Sequence, residues 1–102
     1  MNIKGLITYE TETKVYRTDG YTISNCNSIV FINTGTAVVT VDQVRLVAGA
    51  QFVVTGNINE INVKQYQFTF GTGVNKSLTV VRKVYSNEKL QEQVYKGALL
   101  KN

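Results

Sequence analysis

A chain of 102 residues with net charge +4, one cysteine and no histidine is sized for one domain and poorly equipped for chemistry. The missing imidazole removes Ser-His and Cys-His nucleophilic pairs, histidine acid–base catalysis and most zinc sites. No apolar run reaches the roughly 18 residues that span a bilayer, and the opening MNIKGLITYETETKVYR has no apolar core of a signal peptide, so the expectation is a protein without a membrane partner that assembles in a cytoplasm.

Short apolar segments alternate with Gly- and Asn-rich turn signals, and the chain has no proline; this pattern predicts an all-β domain. Ile3 to Tyr9 is the first candidate strand. KVYRTDGYTIS follows, with Asp19-Gly20 between Val15/Tyr16 and Tyr21/Ile23, which predicts a hairpin using positive φ at its turn. Cys26 has no intrachain disulfide partner and is expected as a small, partly buried thiol near a strand start. Ser28 to Ile32 is a continuous apolar run, as in a strand covered on both faces, and Asn33-Thr34-Gly35 turns the chain.

From Thr36 to Val41, Ala37, Val39 and Val41 share one face. Asp42-Gln43 makes a tight turn into Val44–Val47, and Gly49 turns the chain again. Ala50, Phe52 and Val54 share a face, and TGNINEIN carries an extended piece at Glu60 to Val63. Tyr66, Phe68 and Phe70 alternate with Gln65, Gln67 and Thr69, which reads as a half-buried strand with an aromatic inner face. GTGVNKS is a loop before the last long strand, Leu78 to Tyr85. That strand sets Leu78, Val80, Arg82 and Val84 against Thr79, Val81, Lys83 and Tyr85, and neither side is cleanly polar. Two readings follow: one face meets another copy, or the residues after Val81 leave a sheet edge and put Arg82 and Lys83 in water.

SNEKLQEQVYKGALLKN then changes period. Ser86 or Asn87 can cap a helix and Glu88 sits in its first turn. Leu90, Val94 and Ala98 form a stripe with Tyr95 and Leu99 beside it, and Gly97 weakens the helix by about 1 kcal/mol relative to Ala. A helix this short is marginal alone in water, so its stripe must dock. The charge excess collects here too. Up to Asn75, Lys4, Lys14, Arg17, Arg45 and Lys64 balance Glu10, Glu12, Asp19, Asp42 and Glu60, whereas Lys76, Arg82, Lys83, Lys89, Lys96 and Lys101 face only Glu88 and Glu92. Such an end suits an acidic partner, or is the solvated side of an exposed helix.

No motif of catalysis stands out. Glu10 and Glu12, two apart in an extended stretch, share a face, which serves solubility far more often than a hydrolytic pair or a cation. Asp19 and Asp42 sit at turns, where carboxylates serve the backbone. GTG at Gly71–Gly73 precedes a strand, unlike a dinucleotide loop. Tyr66, Phe68 and Phe70 beside Lys64 mimic a base-stacking platform, but their alternation with polar residues is that of a core face. Six tyrosines with many Thr, Asn and Gln also suit a carbohydrate-binding surface.

The run SIVFINTGTAVVTVDQVRLVAGAQFVV, then EINVKQYQFTF, then LTVVRKVY, resembles small trimeric head-fibre and decoration proteins of crAss-like tailed bacteriophages. The likeness covers Ser28 to Tyr85 and departs at Gln43, where such turns often carry Gly, which makes positive φ costly at that position. The resemblance implies a β module, homotrimeric and attached to a capsid, with no catalytic residue to transfer. The expected fold is therefore all-β, a small antiparallel β-sandwich or barrel of jelly-roll-like type, with a short C-terminal α-helix. It divides into a β domain over 1–85 and a basic amphipathic tail over 86–102.

The expected role is a virion structural protein, not an enzyme, with no cofactor or metal. Its partners are copies of itself, other capsid proteins and, in an alternative reading, a host-surface glycan; nucleic acid through the basic end is the least favoured. Val84, Tyr85, Leu90, Val94, Tyr95, Ala98 and Leu99 are the candidate oligomer or capsid contacts. Leu90→Asp or Val94→Asp is expected to weaken assembly more than folding of the β domain. Comparing solution mass with the melting temperature checks this, and two variants that assemble normally would make residues 86–102 a solvated tail.

Overall fold

The computed structural model describes residues 9–85. Eight strands follow in chain order: β1 (Tyr9–Tyr16), β2 (Gly20–Ile23), β3 (Ser28–Asn33), β4 (Val39–Val41), β5 (Val44–Leu46), β6 (Gln51–Val54), β7 (Gln65–Phe70) and β8 (Leu78–Tyr85). They form two four-stranded antiparallel sheets, ordered β1-β8-β3-β6 and β2-β7-β4-β5. The all-β expectation is met. The predicted helix, with Leu90, Val94, Tyr95, Ala98 and Leu99, lies outside the described residues, as does the segment from Ile3 that was expected to form the first strand and of which only Tyr9 is described.

The inner faces of both sheets supply one core. Ile29, Phe31, Leu78 and Val80 come from the first sheet, and Val39, Val41, Leu46, Tyr66 and Phe68 from the second. Phe31 meets Tyr66 across the layers at 5.0 Å between ring centroids, and Tyr16 meets Phe68 at 4.8 Å. Each fully buried side chain of this size contributes roughly 1.5–3 kcal/mol. The alternation expected for Ala37/Val39/Val41 and for Tyr66/Phe68/Phe70 is realised, with all of these buried except the half-buried Phe70. The aromatic row is therefore core and offers no platform for bases.

The DG hairpin is a correction. β1 pairs along its whole length with β8, and β2 pairs with β7, so the two arms lie in different sheets. Arg17–Asp19 carries the chain from one layer to the other. The Asp19 carboxylate accepts from the Phe70 backbone N–H (2.8 Å), which seats the start of β2 beside the end of β7. Neither Asp19 nor Gly20 takes positive φ. A turn dipeptide marks a reversal, but the arms pair only if no better ladder waits elsewhere; the eight-residue register with β8 is that ladder.

The last strand also differs from one expectation. β8 is not an edge that frays after Val81, because β1 and β3 flank it and its ladder runs to Tyr85. The β4–β5 hairpin turns on Asp42-Gln43 as predicted, with positive φ (53°) at Asp42 and not at Gln43. Positive φ at the first central residue only is the pattern of a type II′ turn, so Gln43 needs no glycine. Gly35 is needed for a different reason. A Cβ there would stand 2.5 Å from the Asn75 carbonyl oxygen and 2.8 Å from the Ser77 backbone nitrogen, where the 34–37 loop hydrogen-bonds to residues 75–77.

Of the described polar side chains, Ser24, Asn27, Asn33 and Ser77 are buried, and Asn33 joins the sheets. Asn33 ends β3 at 1% exposure. Its amide donates to the carbonyls of Ala37 (2.8 Å) and Leu46 (2.9 Å), and its oxygen accepts from Gly35 N–H (3.0 Å). Ala37 leads into β4 and Leu46 closes β5, so this one amide ties the first sheet to the second. Asn33→Ala strands two carbonyls and an N–H and is expected to cost about 3 kcal/mol, read from the urea midpoint. Thr36→Ala, on an exposed neighbouring side chain, is expected to stay within about 0.5 kcal/mol.

Candidate functional site: a polar cleft between the sheet edges

β1 is the edge of its sheet and β2 the edge of the other, and the seam between them is open. The inward positions of β1 alternate as Glu10, Glu12, Lys14 and Tyr16, opposite Val84, Arg82, Val80 and Leu78 on β8. Tyr16 and Leu78 reach the core, but β2 is only four residues long, so the charged end of this face is left uncovered. The result is a cleft of about 380 Å³ lined by Glu10, Glu12, Asn25, Ile61, Arg82, Val84 and Tyr85. A smaller one of about 210 Å³ continues along the seam, sharing Glu12 and Arg82 and adding Lys14 and Thr22.

Arg82 organises the cleft. Its guanidinium donates to the Ser24 carbonyl (2.6 Å) and the Ile23 carbonyl (3.4 Å) across the seam, and to the Glu12 carboxylate beside it. Its side chain is 20% exposed and that of Glu12 is 51% exposed. A planar fork with several donors serves three acceptors at once, which a lysine ammonium would do poorly. The expectation that Arg82 stands in water is therefore corrected. The sequence signal was present, since Arg82 follows Leu78 and Val80 on the inward face, but alternation does not say whether a charge at such a place is paired.

Behind the cleft the wall is a hydrogen-bonded loop lattice. Ser24 Oγ donates to the Asn62 carbonyl (2.7 Å) and accepts from Lys64 N–H (2.8 Å), and Cys26 forms an isolated bridge with Asn62. The buried Asn27 donates to the carbonyls of Asn57 (2.6 Å) and Glu60 (3.0 Å), which pins the long connection between β6 and β7. Cys26 is 1% exposed. Burial pushes its thiol above the ordinary range, opposed by nearby Arg82 and assisted by Glu12. That shift favours the protonated thiol, the opposite of a nucleophilic cysteine.

Of the sequence candidates, Val84 lies in the cleft and packs against the core. The Tyr85 ring packs, tilted, against Tyr9 at 4.8 Å between centroids, and its hydroxyl donates to the Glu60 carbonyl (3.2 Å). Glu10 and Glu12 do share a face, and the structure places them in the cleft together. Among the described residues no group of three acidic or cysteine side chains is gathered to hold a metal ion. Asn25 and Ile61 carried no signal in the sequence, because loops far apart in the chain bring them to the cleft. The arrangement is one of donors and acceptors around a half-buried ion pair, suited to holding a polar ligand.

The chain matches no family model, no curated protein and no solved structure. Arg82→Ala should leave the Ser24 and Ile23 carbonyls without a donor and cost about 2 kcal/mol, measured by chemical denaturation. Glu12→Gln, which removes only the charge of a half-exposed carboxylate from the ion pair, should cost less than about 1 kcal/mol. Equal losses would mean that the guanidinium does not bridge the sheets.

Proposed function

We propose that this chain is a non-enzymatic structural protein of a tailed-phage virion, assembled in the host cytoplasm as a homotrimer and mounted on the capsid as a head fibre or decoration. The observation that carries the reading is the order of the strands. Sheets of β1-β8-β3-β6 and β2-β7-β4-β5 support a jelly-roll sandwich, the eight-stranded double Greek key found in viral capsid modules and in lectins. A fold alone assigns no activity. The motif-level likeness of Ser28–Tyr85 to crAss-like phage head-fibre proteins is what turns it toward the virion and toward trimers. Small sandwiches with modest cores gain stability by burying surface against their own copies.

A second reading, a glycan-binding module on a host surface, draws on the cleft. Glu10, Glu12, Asn25 and Arg82 offer hydrogen-bonding groups beside the Tyr85 ring, the kind of mixed lining that polyhydroxylated ligands use. The two readings are compatible in an adhesive fibre. A nucleic-acid role is weakened because two of the basic residues of the C-terminal quarter are already engaged. Arg82 bridges the sheets, and the Lys83 ammonium sits 4.3 Å over the Tyr9 ring.

Light scattering on the full chain at micromolar concentration should give three times the monomer mass. A monomer would overturn the trimer. Glycan-array binding that Glu10→Ala abolishes would establish the second reading beside the first, and an array without hits would leave the structural role alone.

A further inference from the structure

We infer that the outer face of the β1-β8-β3-β6 sheet is the surface on which copies of this chain meet; the inference rests on the self-assembly proposed above and names the residues that make it. Side chains alternate along a strand. Leu78 and Val80 of β8 point into the core, so Thr79, Val81 and Lys83 point out. The register carries those outward positions across all four strands. Thr13, Val81, Val30 and Val53 form one row, and Val15, Thr79, Ile32 and Gln51 form the next. Five of these eight positions are Val or Ile and none is charged.

The other sheet shows what a solvated outer face looks like in the same molecule. Its outward positions are Gln65, Gln67 and Thr69 on β7, Thr40 on β4 and Arg45 on β5, with Tyr21 and Ile23 on the edge strand β2. An antiparallel sheet with one face on the core ordinarily keeps polar residues on the other. In the β2-β7-β4-β5 sheet the strands β7, β4 and β5 follow that rule and only the edge strand β2 departs from it, whereas in the β1-β8-β3-β6 sheet the apolar side chains run across all four strands. Val15 and Val53 are 46% and 51% exposed at the two ends of the face, with Val30, Ile32 and Val81 half-buried between them.

The occupant is a second copy, on two grounds. The face offers a charged partner nothing to read. Its nearest charge, Lys83, is held over the Tyr9 ring at the rim. The size also fits. With eight residues on β1 and on β8, six on β3 and four on β6, at about 3.3 Å per residue and about 4.8 Å between strands, the face is on the order of 400 Å². Three such faces turned inward on one axis remove roughly 1,200 Å² from water, above the roughly 1,000 Å² that a specific interface requires. Copies turned face-inward around a rotation axis bring the central Val30 and Val81 of each copy toward that axis, in a closed symmetric assembly.

The test places one charge at a time on each face of the full-length chain. Val53→Glu and Thr13→Glu alter exposed side chains, so the sandwich keeps its fold, which circular dichroism verifies. Each is expected to raise the dissociation constant of the assembly on the order of a hundredfold, read by light scattering over a dilution series. Gln65→Glu, the same charge on the other sheet's outer face, is expected to leave the mass unchanged. If the wild type assembles and both Val53→Glu and Thr13→Glu assemble as tightly, this face is overturned and another surface, residues 86–102 among them, holds the copies together. If Gln65→Glu dissociates the assembly equally, the face is overturned as well. A wild type that stays monomeric at every concentration removes the self-assembly on which the inference rests.

Discussion

Two sheets that share one core must be held in register with each other as well as within themselves, and here a single buried amide does much of that. Hydrophobic contact is nondirectional, and Phe31 against Tyr66 would tolerate some sliding. The Asn33 amide does not. Its two N–H groups reach carbonyls at the start of β4 and the end of β5 while its oxygen takes the Gly35 N–H. At the other end of β8, Arg82 reaches carbonyls at the end of β2. The apolar core lies between these two polar ties. Each is directional, and each leaves unpaired carbonyls behind if broken, which makes misaligned packings costly. The amide also dictates Gly35, because the loop it closes runs too near residues 75–77 to carry a side chain.

Much of the strand content was legible in the sequence, because it rests on period-two alternation, and core faces such as Ala37/Val39/Val41 and Tyr66/Phe68/Phe70 repeat it cleanly. The II′ turn at Asp42-Gln43 was legible as a turn, though its type was not. What alternation could not convey was pairing. Asp19-Gly20 has the chemistry of a hairpin, yet the arms separate into two sheets because β8 supplies an eight-residue partner for β1 from the far end of the chain. β1 itself was nearly invisible. YETETKVY carries charges on its inward side because that side opens into the cleft, so its pattern does not contrast with solvent. The cleft could not be read for the same reason: Asn25, Ile61 and Arg82 come from three separate parts of the chain.

Arg82 shows why a charge in an apolar alternation is ambiguous. On an edge strand it would mark the point where the sheet ends and water begins. On a central strand it must be satisfied, and here carbonyl oxygens from the opposite sheet together with Glu12 do so. The sequence held the residue and its face, but only the strand order decides between the two meanings. Behind the cleft, burial favours the protonated Cys26 thiol.

β8 ties these threads together. Its inward side carries Leu78 and Val80 into the core and Arg82 into the seam, while its outward side carries Thr79 and Val81 to the centre of an uncharged face. A central strand cannot move without disturbing both neighbours, so the cleft and the outer face share one rigid backbone. If copies pack on that outer face, the cleft stays open, because it lies on the opposite side of the same sheet at the β1–β2 seam. Each copy would then present its cleft away from its neighbours. A small β-sandwich can in this way be held by one side of a sheet and still offer a polar groove on the other.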